Sequence, residues 1–525
     1  MSTTRRTRWV TGPALASALA ISSLTACGGP EAREATAPQG AIALREAESP
    51  FVAFNIWLKV GSQNDPEGKE GLAALTAQLL SDGSTSSDSY QEIVAKLFPM
   101  AAGYVASVDK EMTNFRGTVH TDNLEGYYEL FRNALLEPAF DESDFERVKL
   151  QMLNFLERGR RFNRDEELSK ELLYWMAYRG TPYEHPEEGY VESVQSITLD
   201  DVRGFYDEFY VRNNLVVGVG GGYPEGFVEQ VRADFDARPE GAVRQVPHPN
   251  PRKPDRVEVL IVEKETDAAA ISMGFPTDLV RGGDDFYAMK LVNSWMGEHR
   301  SSFSNLYQVI REKRGMNYGD YTYIEPFPLG YTTQDRPVNA VRRSNLFEIW
   351  IRPISLTAPG NLHQRTLFAT RAALRELNNL VQRGLSEEEI ERTRRFLHDF
   401  SLNYGSTVSR RLSFAVDDEF YGLAEHGYLP SIRPELAALD RAAVNSAIRR
   451  HLDSDGMYLV FITADADALK RLLLSGAPTS IDYSGEPSLA IMAEDQEIAR
   501  FPIDVTEADI TILDISEVFE RASGG

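Results

Sequence analysis

At 525 residues the chain is too long for one ordinary domain, and its 42% apolar and 26% charged content is that of a folded globular protein rather than a disordered or membrane-spanning one. With 55 basic against 79 acidic residues the formal charge is −24, which argues against nucleic acid as a partner, because phosphates need a basic footprint. A single cysteine excludes an intramolecular disulfide.

The chain opens MSTTRRTRW, with Arg5, Arg6 and Arg8, followed by the mildly apolar VTGPALASALAISSLTA and then Cys27. A basic start, a short apolar stretch and small residues before a cleavage point predict a signal peptide over residues 1–26. The run L-T-A-C resembles a bacterial lipobox, which implies cleavage before Cys27 and lipid on its thiol. The alternative is an ordinary signal with an incidental cysteine. The lipobox reading makes the protein an exported lipoprotein facing the periplasm, held to a membrane only by its lipid. Gly28 is not the aspartate that, by resemblance to sorted lipoproteins, retains some at the inner membrane. Outer-membrane attachment is therefore expected if the host has two membranes. Loss of residues 1–26 would remove three arginines and no acid, leaving 52 of the 55 basic residues against 79 acidic, a balance of −27.

Residues 27–48 are small, polar and charged, and read as a lipidated tether. In FVAFNIWLKV, Val52, Phe54, Ile56, Leu58 and Val60 alternate with Ala53, Asn55, Trp57 and Lys59, the period of a strand. GLAALTAQLLSDGS follows, with Leu72, Leu75 and Leu79 at helical spacing and Gly83 as a stop. Further helices are predicted over 123–136, 142–158 and 199–210, and LVVGVGG (215–221) is a buried strand ending in a turn. Residues 238–256 hold five prolines and no apolar period, so they read as a linker. VEVLIVEK then starts a strand, and the order of elements begins again. AFDESDFERVKLQMLNFL (139–156) pairs with GLSEEEIERTRRFLHDFS (384–401), and LDDVRGFYDEFYVRNNLVVGVGG (199–221) with LDRAAVNSAIRRHLDSDGMYLVFITA (439–464), each about 240 residues apart. This implies duplication of one α+β unit: a domain over 49–237 and a second over 257–475, each a mainly antiparallel sheet packed against helices. Residues 476–525 read as an acidic tail strapped across the second domain.

Most familiar chemistries are absent from the sequence. GVGGGYPEG (218–226) has the wrong spacing for a dinucleotide loop and reads as a strand-to-helix turn that needs glycine. No GxSxG stretch exists, and Lys69 in EGKEG is not followed by Ser or Thr. The eight histidines stand at 120, 185, 248, 299, 363, 398, 426 and 451, so no helix can offer two imidazoles at i and i+4. What remains is a helix of suggestive frame. G-L-A-x-x-x-x-x-L-L-x-x-G-[ST] (71–84) resembles the zinc helix of the pitrilysin, or insulinase, family, whose H-x-x-E-H carries two zinc ligands and a general base. On that frame the first histidine falls at Ala74, the base at Ala77 and the second histidine at Gln78. The family's third ligand, a glutamate about 75 residues on, falls at Asn154 or Phe155. All four functional positions are empty.

The resemblance spans about residues 50–475, including YRGTPYEHPEEGYVESVQSITLDDVRGFYDEFYVRNNLVVGVGG (178–221), and implies two homologous α+β halves like those of mitochondrial processing peptidase. NLYQVIREKRGMNYGDYTY (305–323) resembles the family's substrate-side motif, with Arg311 and, seven residues later, Tyr318, and with Gly315 turning helix into strand. In the family this pair hydrogen-bonds the substrate backbone opposite the zinc. A guanidinium fork and a phenol hydroxyl are both donors suited to a carbonyl oxygen that gains charge. Some bacterial members divide the work between two chains, one carrying H-x-x-E-H and the other only the Arg/Tyr pair. The sequence is similar to the second kind. The expectation is a non-catalytic, substrate-binding subunit that itself binds no cofactor, with zinc in an H-x-x-E-H-bearing partner and a peptide as substrate. The alternatives are a stand-alone pseudo-peptidase serving as a peptide-binding or assembly scaffold, and a hydrolase with an unrecognised site.

Overall fold

The computed structural model describes residues 41–327, 338, 340–355, 361–423, 425–453 and 455–521. The predicted signal peptide, Cys27 and the first part of the predicted tether lie outside the described residues.

The first half runs β1 (Ile42–Arg45), β2 (Phe51–Leu58), α1 (Leu72–Asp82), α2 (Tyr90–Leu97), β3 (Gly103–Val108), β4 (Thr113–His120), α3 (Leu124–Leu136), α4 (Glu142–Asn154), α5 (Asp165–Ala177), α6 (Val191–Ser196), α7 (Leu199–Phe209), β5 (Leu215–Gly221) and α8 (Phe227–Asp236). A π-helical turn, Phe155–Arg160, extends α4. Residues 239–256 carry no helix or strand. The second half runs β6 (Val257–Glu263), β7 (Ala268–Thr277), α9 (Phe286–Gly297), a π-helical turn Tyr307–Glu312, β8 (Asp320–Tyr323), β9 (Asn345–Ser355), α10 (Leu362–Arg383), α11 (Glu387–Phe400), α12 (Val408–Phe420), α13 (Tyr428–Ala438), α14 (Arg441–His451), β10 (Met457–Thr463) and α15 (Ala466–Ser475). After residue 475 come α16 (Leu489–Ala499) and β11 (Ile510–Asp514).

The first sheet has the order β1-β5-β2-β4-β3, and the second β11-β6-β10-β7-β9-β8. With β11 set aside, both read first-last-second-fourth-third, so the duplication inferred from sequence is a duplication of topology. Both sheets are mainly antiparallel, as expected, with parallel pairs at one edge: β1 runs parallel to β5, and β6 runs parallel to both β10 and β11. The matched helix starts have a local cause. Asp141 accepts the N–H groups of Ser143 and Asp144 to cap α4, and Ser386 with Glu389 forms a capping box on α11. Two segment readings change. Residues 42–45, read as tether, pair with β5 as an added edge strand. The tail adds β11 to the sheet, and its Phe519 and Glu520 carbonyls accept the N–H groups of Val191 and Glu192 in the first half.

Each half lends a helix to the other. α5 covers one face of the second sheet, burying Leu168, Leu172 and Leu173 against Leu260, Val262, Val460 and Ile462. α12 covers the corresponding face of the first sheet, burying Val408, Leu412, Val416 and Phe420 against Ala53, Trp57 and Val216. Matched polar contacts mark the exchange: Ser169 Oγ lies 2.8 Å from Ser272 Oγ, and Asn55 Nδ2 donates to Ser413 Oγ at 3.1 Å. This explains why β2 is buried on both faces despite its alternating sequence. It also gives the glycines of the predicted strand 215–221, which is β5, a role besides the turn that follows. A Cβ on Gly218 would stand 2.7 Å from Val416 Cγ2, and one on Gly220 3.1 Å from Val408 Cγ2. These two strand glycines make room for α12.

Replacing Gly218 with Val sets strand preference, which favours the change, against overpacking, which opposes it. Overpacking should prevail, costing about 1–3 kcal/mol. Thermal and denaturant unfolding of Gly218→Val at wild-type stability or above would show that α12 is not seated as described.

Candidate functional site

The residues of α1 divide into two sets. Leu72, Leu75, Leu79 and Leu80 are buried in the first core. Each such side chain contributes roughly 1.5–3 kcal/mol by leaving water, which is reason enough to keep the helix. Ala74, Ala77 and Gln78 line a hollow of about 340 Å³ bounded by β3, by Met152 of α4 and by Glu187 and Glu188. Gly71, at the helix start, has φ +99°, and a Cβ there would lie 2.5 Å from the Glu188 carbonyl oxygen. Glycine thus lets the Glu188 loop close on the helix. Asp65 supplies the cap that Gly71 lacks, accepting the N–H groups of Gly71 and Ala73 at 2.7 Å each.

These residues do not fit the zinc of the resembling family. Alanine methyls carry no donor atom, and Gln78 offers only a neutral amide. Of the two positions expected for a third ligand, Asn154 is exposed at the end of α4, and Phe155 lies 43% exposed beneath the Arg160 guanidinium. Neither lines the hollow; Met152, a thioether, is the α4 residue that does. Glu187 is ion-paired to Lys110 at 2.9 Å, and Glu188 to Arg160, which also holds Glu171 at 3.1 Å. Among the described residues no group of three or more His, Cys, Asp or Glu is placed to hold a metal ion.

From this hollow a path runs along the seam between the halves. A cavity of about 290 Å³ shares Val108, Glu187 and Glu188 with it and reaches Phe327 and Val341 of the second half. Burial, reinforced by the nearby Glu187 charge, pushes Asp109 in this cavity up to about 7, although the Val341 N–H donates to it at 3.1 Å. A third cavity, about 490 Å³, shares Phe327 and includes Glu166, His299, Tyr321, Trp350 and Arg352. His299 Nδ1 lies 2.6 Å from the Tyr323 hydroxyl, and the imidazole stacks on Phe327 with ring centroids 4.5 Å apart.

Between the second and third cavities, α5 meets β9. Lys170 Nζ donates to the Phe327 carbonyl at 2.9 Å and sits 3.2 Å from the centroid of the Trp350 ring. Burial lowers its pKa. Tyr174, one turn on, donates to Glu348 at 2.6 Å, and the Trp350 indole donates to the other Glu348 oxygen at 2.9 Å. Burial still raises Glu348 to about 7. The sequence reading missed this cluster. The i, i+4 spacing of Lys170 and Tyr174 and the i, i+2 spacing of Glu348 and Trp350 were visible, but nothing local joined the two pairs.

Arg311 and Tyr318 are brought together. Arg311 lies on the second π-helical turn, and Gly315, at φ +58°, reverses the chain before β8. Arg311 Nη1 donates to the Tyr318 carbonyl at 2.7 Å. Its Cζ lies 4.3 Å from the Tyr318 ring centroid and 4.8 Å from that of Tyr307, so the guanidinium stacks against both. Tyr318 is 69% exposed, and Arg352 of the third cavity lies 5.8 Å from its ring. One guanidinium donor is committed to Tyr318; the group carries five.

Comparison with known proteins bears on both halves. A family model described as insulinase (peptidase family M16) matches residues 41–189, and one described as the peptidase M16 inactive domain matches residues 196–397. The chain is 22% identical over 408 residues to a Bacillus subtilis protein named uncharacterized zinc protease YmxG, covering 77% of this chain and 91% of that one. It is 20% identical over 430 residues to a Helicobacter pylori protein named non-peptidase homolog YmxG, covering 79% and 89%. A solved peptidase M16 inactive domain from Pseudomonas fluorescens superposes with a TM-score of 0.68 at 21% identity, covering 81% of this chain and 95% of that one. Matched in sequence across both halves and in fold across most of its length, the chain belongs to the M16 (insulinase) peptidase family.

Proposed function

We propose that this chain is a non-catalytic, substrate-binding subunit that completes a zinc peptidase at the cell envelope, with the metal held by a partner of the same family that carries H-x-x-E-H. The observation that carries the reading is a split within one fold. The zinc helix keeps its core face and has no histidine or carboxylate at Ala74, Ala77 and Gln78, while Arg311 and Tyr318 stand in contact, with Arg352 of the third cavity 5.8 Å from the Tyr318 ring. In this reading the partner supplies metal and activated water. This chain supplies donors that orient a peptide and stabilise charge growing on its carbonyl oxygen. The chain is anchored through lipid on Cys27, at the outer membrane if the host has two. Among the described residues no helix is long and apolar enough to cross a membrane.

Converting the hollow into a zinc site tests the donor inventory. Ala74→His, Ala77→Glu and Gln78→His together should still leave the isolated chain without tight zinc, because Met152 occupies the α4 side of the hollow. Adding Met152→Glu should bring about one zinc per chain by elemental analysis after dialysis. Stoichiometric zinc in the unaltered chain would contradict the division of labour.

Removing one donor to a developing oxyanion costs about 10²–10³ in rate. Tyr318→Phe keeps the backbone carbonyl that Arg311 uses and removes only the hydroxyl. Mixed with the zinc-bearing partner, it should hydrolyse peptide slower by about that factor with melting temperature and partner affinity unchanged. Arg311→Lys should also be poor, since one ammonium cannot reproduce a planar fork. Wild-type hydrolysis by both variants would favour a scaffold role instead.

The anchor has its own test. Mass spectrometry of the mature N-terminus should find acylated Cys27; a free thiol or another cleavage point would remove the lipoprotein assignment.

A further inference from the structure

Three residues beyond Arg311, Arg314 ties the candidate substrate-binding turn to the C-terminal segment. Its side chain has no solvent exposure. Nη1 donates to the Val309 carbonyl, inside the π-helical turn, at 2.6 Å. Nε donates to Asp495 Oδ1 at 2.9 Å and Nη2 to Glu494 Oε2 at 2.8 Å, both on α16. The two acids are held in turn: the Tyr483 hydroxyl donates to Asp495 at 2.7 Å, and Lys313 pairs with Glu494 at 3.2 Å. Beyond Arg314, the Gly315 N–H donates back to the Arg311 carbonyl at 2.6 Å, and the Met316 carbonyl accepts from Arg365 at 2.9 Å. The backbone carrying Arg311 and Tyr318 is therefore held by its own turn hydrogen bonds and by two guanidinium groups, Arg314 and Arg365, and α16 supplies the counter-charges of the first.

We propose that Arg314 is a positioning residue for Arg311 and Tyr318, and that Glu494 and Asp495 make the C-terminal segment a working part of that site. The proposal rests on the reading of Arg311 and Tyr318 as peptide-binding donors. A buried guanidinium deprived of its carboxylates is strongly disfavoured and must move or recruit water. Because the same guanidinium grips the Val309 carbonyl, its movement loosens the turn. A misplacement of about 1 Å at a reacting centre can cost about 10²-fold in rate.

The test uses the full chain with Glu494→Gln and Asp495→Asn combined. Hydrogen–deuterium exchange of the isolated chain should speed up over residues 307–320 while α10 and the sheets keep their protection. With the zinc-bearing partner, kcat for peptide hydrolysis should fall about 10²-fold with partner affinity unchanged. Glu497→Gln, on the same helix but paired to Arg375, should alter neither. If the double variant does not fold, Arg314→Lys, which keeps the charge and loses the fork, should give the same local loosening. Wild-type exchange over 307–320 would overturn the proposal, and so would loosening spread evenly through the second half. Local loosening in a chain whose wild-type complex hydrolyses nothing would uphold the positioning role and sink the subunit role instead.

Discussion

The exchange of α5 and α12 is the constraint on which the rest of this structure depends. A sheet with one face open to water would leave Ala53, Trp57 and Val216 exposed in the first half, and Leu260, Val262 and Val460 in the second. Each half covers the other's open face with a helix that remains fixed in its own half. α12 shows how this is done. Its Val408, Leu412, Val416 and Phe420 recur every four residues and face the first sheet, while Asp417 turns back to its own half and accepts from Arg281 at 2.8 Å. Arg281 also pairs with Glu325 at 2.7 Å, and Arg342 stands 3.4 Å from the same carboxylate. Although burial opposes the charge, the two guanidinium groups hold Glu325 down at about 2. Buried pairs of this kind add little net stability over an apolar packing, but losing one partner is costly, so they fix where the helix sits more than how tightly.

The seam created by that exchange is also where the polar chemistry gathers. Helices crossing from one half to the other bring ionisable side chains under the opposite sheet, where water cannot solvate them. Lys170 is depressed and Glu348 raised by the same burial, and Asp109 is raised on the other side of the cavity. The first of the two π-helical turns lies along this line. It carries Phe155 and Arg160 at the cavity wall, and the other carries Arg311. A π-turn widens the helix by one residue and changes which side chains face a neighbour, which is why such turns recur at functional sites. The residues of α1 that face the hollow can vary without disturbing this architecture, because the leucines that hold the helix face the core.

Much of the fold was legible in sequence because its determinants are local. Caps at Asp141 and Ser386, the leucine spacing of 72–79 and the prolines of 238–256 act within a few residues of themselves, and the duplication repeated them at a constant offset. The misreadings share one cause. Ile42 and Leu44 alternate with Ala43 and Arg45, but four residues are too few to announce a strand whose partner, β5, lies more than 170 residues away. The glycines of 218–221 resemble a turn signal, yet two of them are spaces left for a helix from the other half. Counting along a family frame reaches Asn154 or Phe155, whereas the helix phase that puts Met152 at the hollow depends on how α4 packs against α1.

The sequence by itself determined the family, the duplicated α+β halves and the absence of any histidine or carboxylate at Ala74, Ala77 and Gln78. These depend on residue identity and near-neighbour order, which a single chain displays in full. Only the tertiary structure decided that Arg311 stacks on Tyr318, that Lys170 and Tyr174 meet Glu348 and Trp350, and that Glu494 and Asp495 clasp Arg314. Those partners are separated by turns whose directions are set by long-range packing, or by more than 170 residues of chain. Their contact energies are gained only once both sheets have formed and each has received the other's helix.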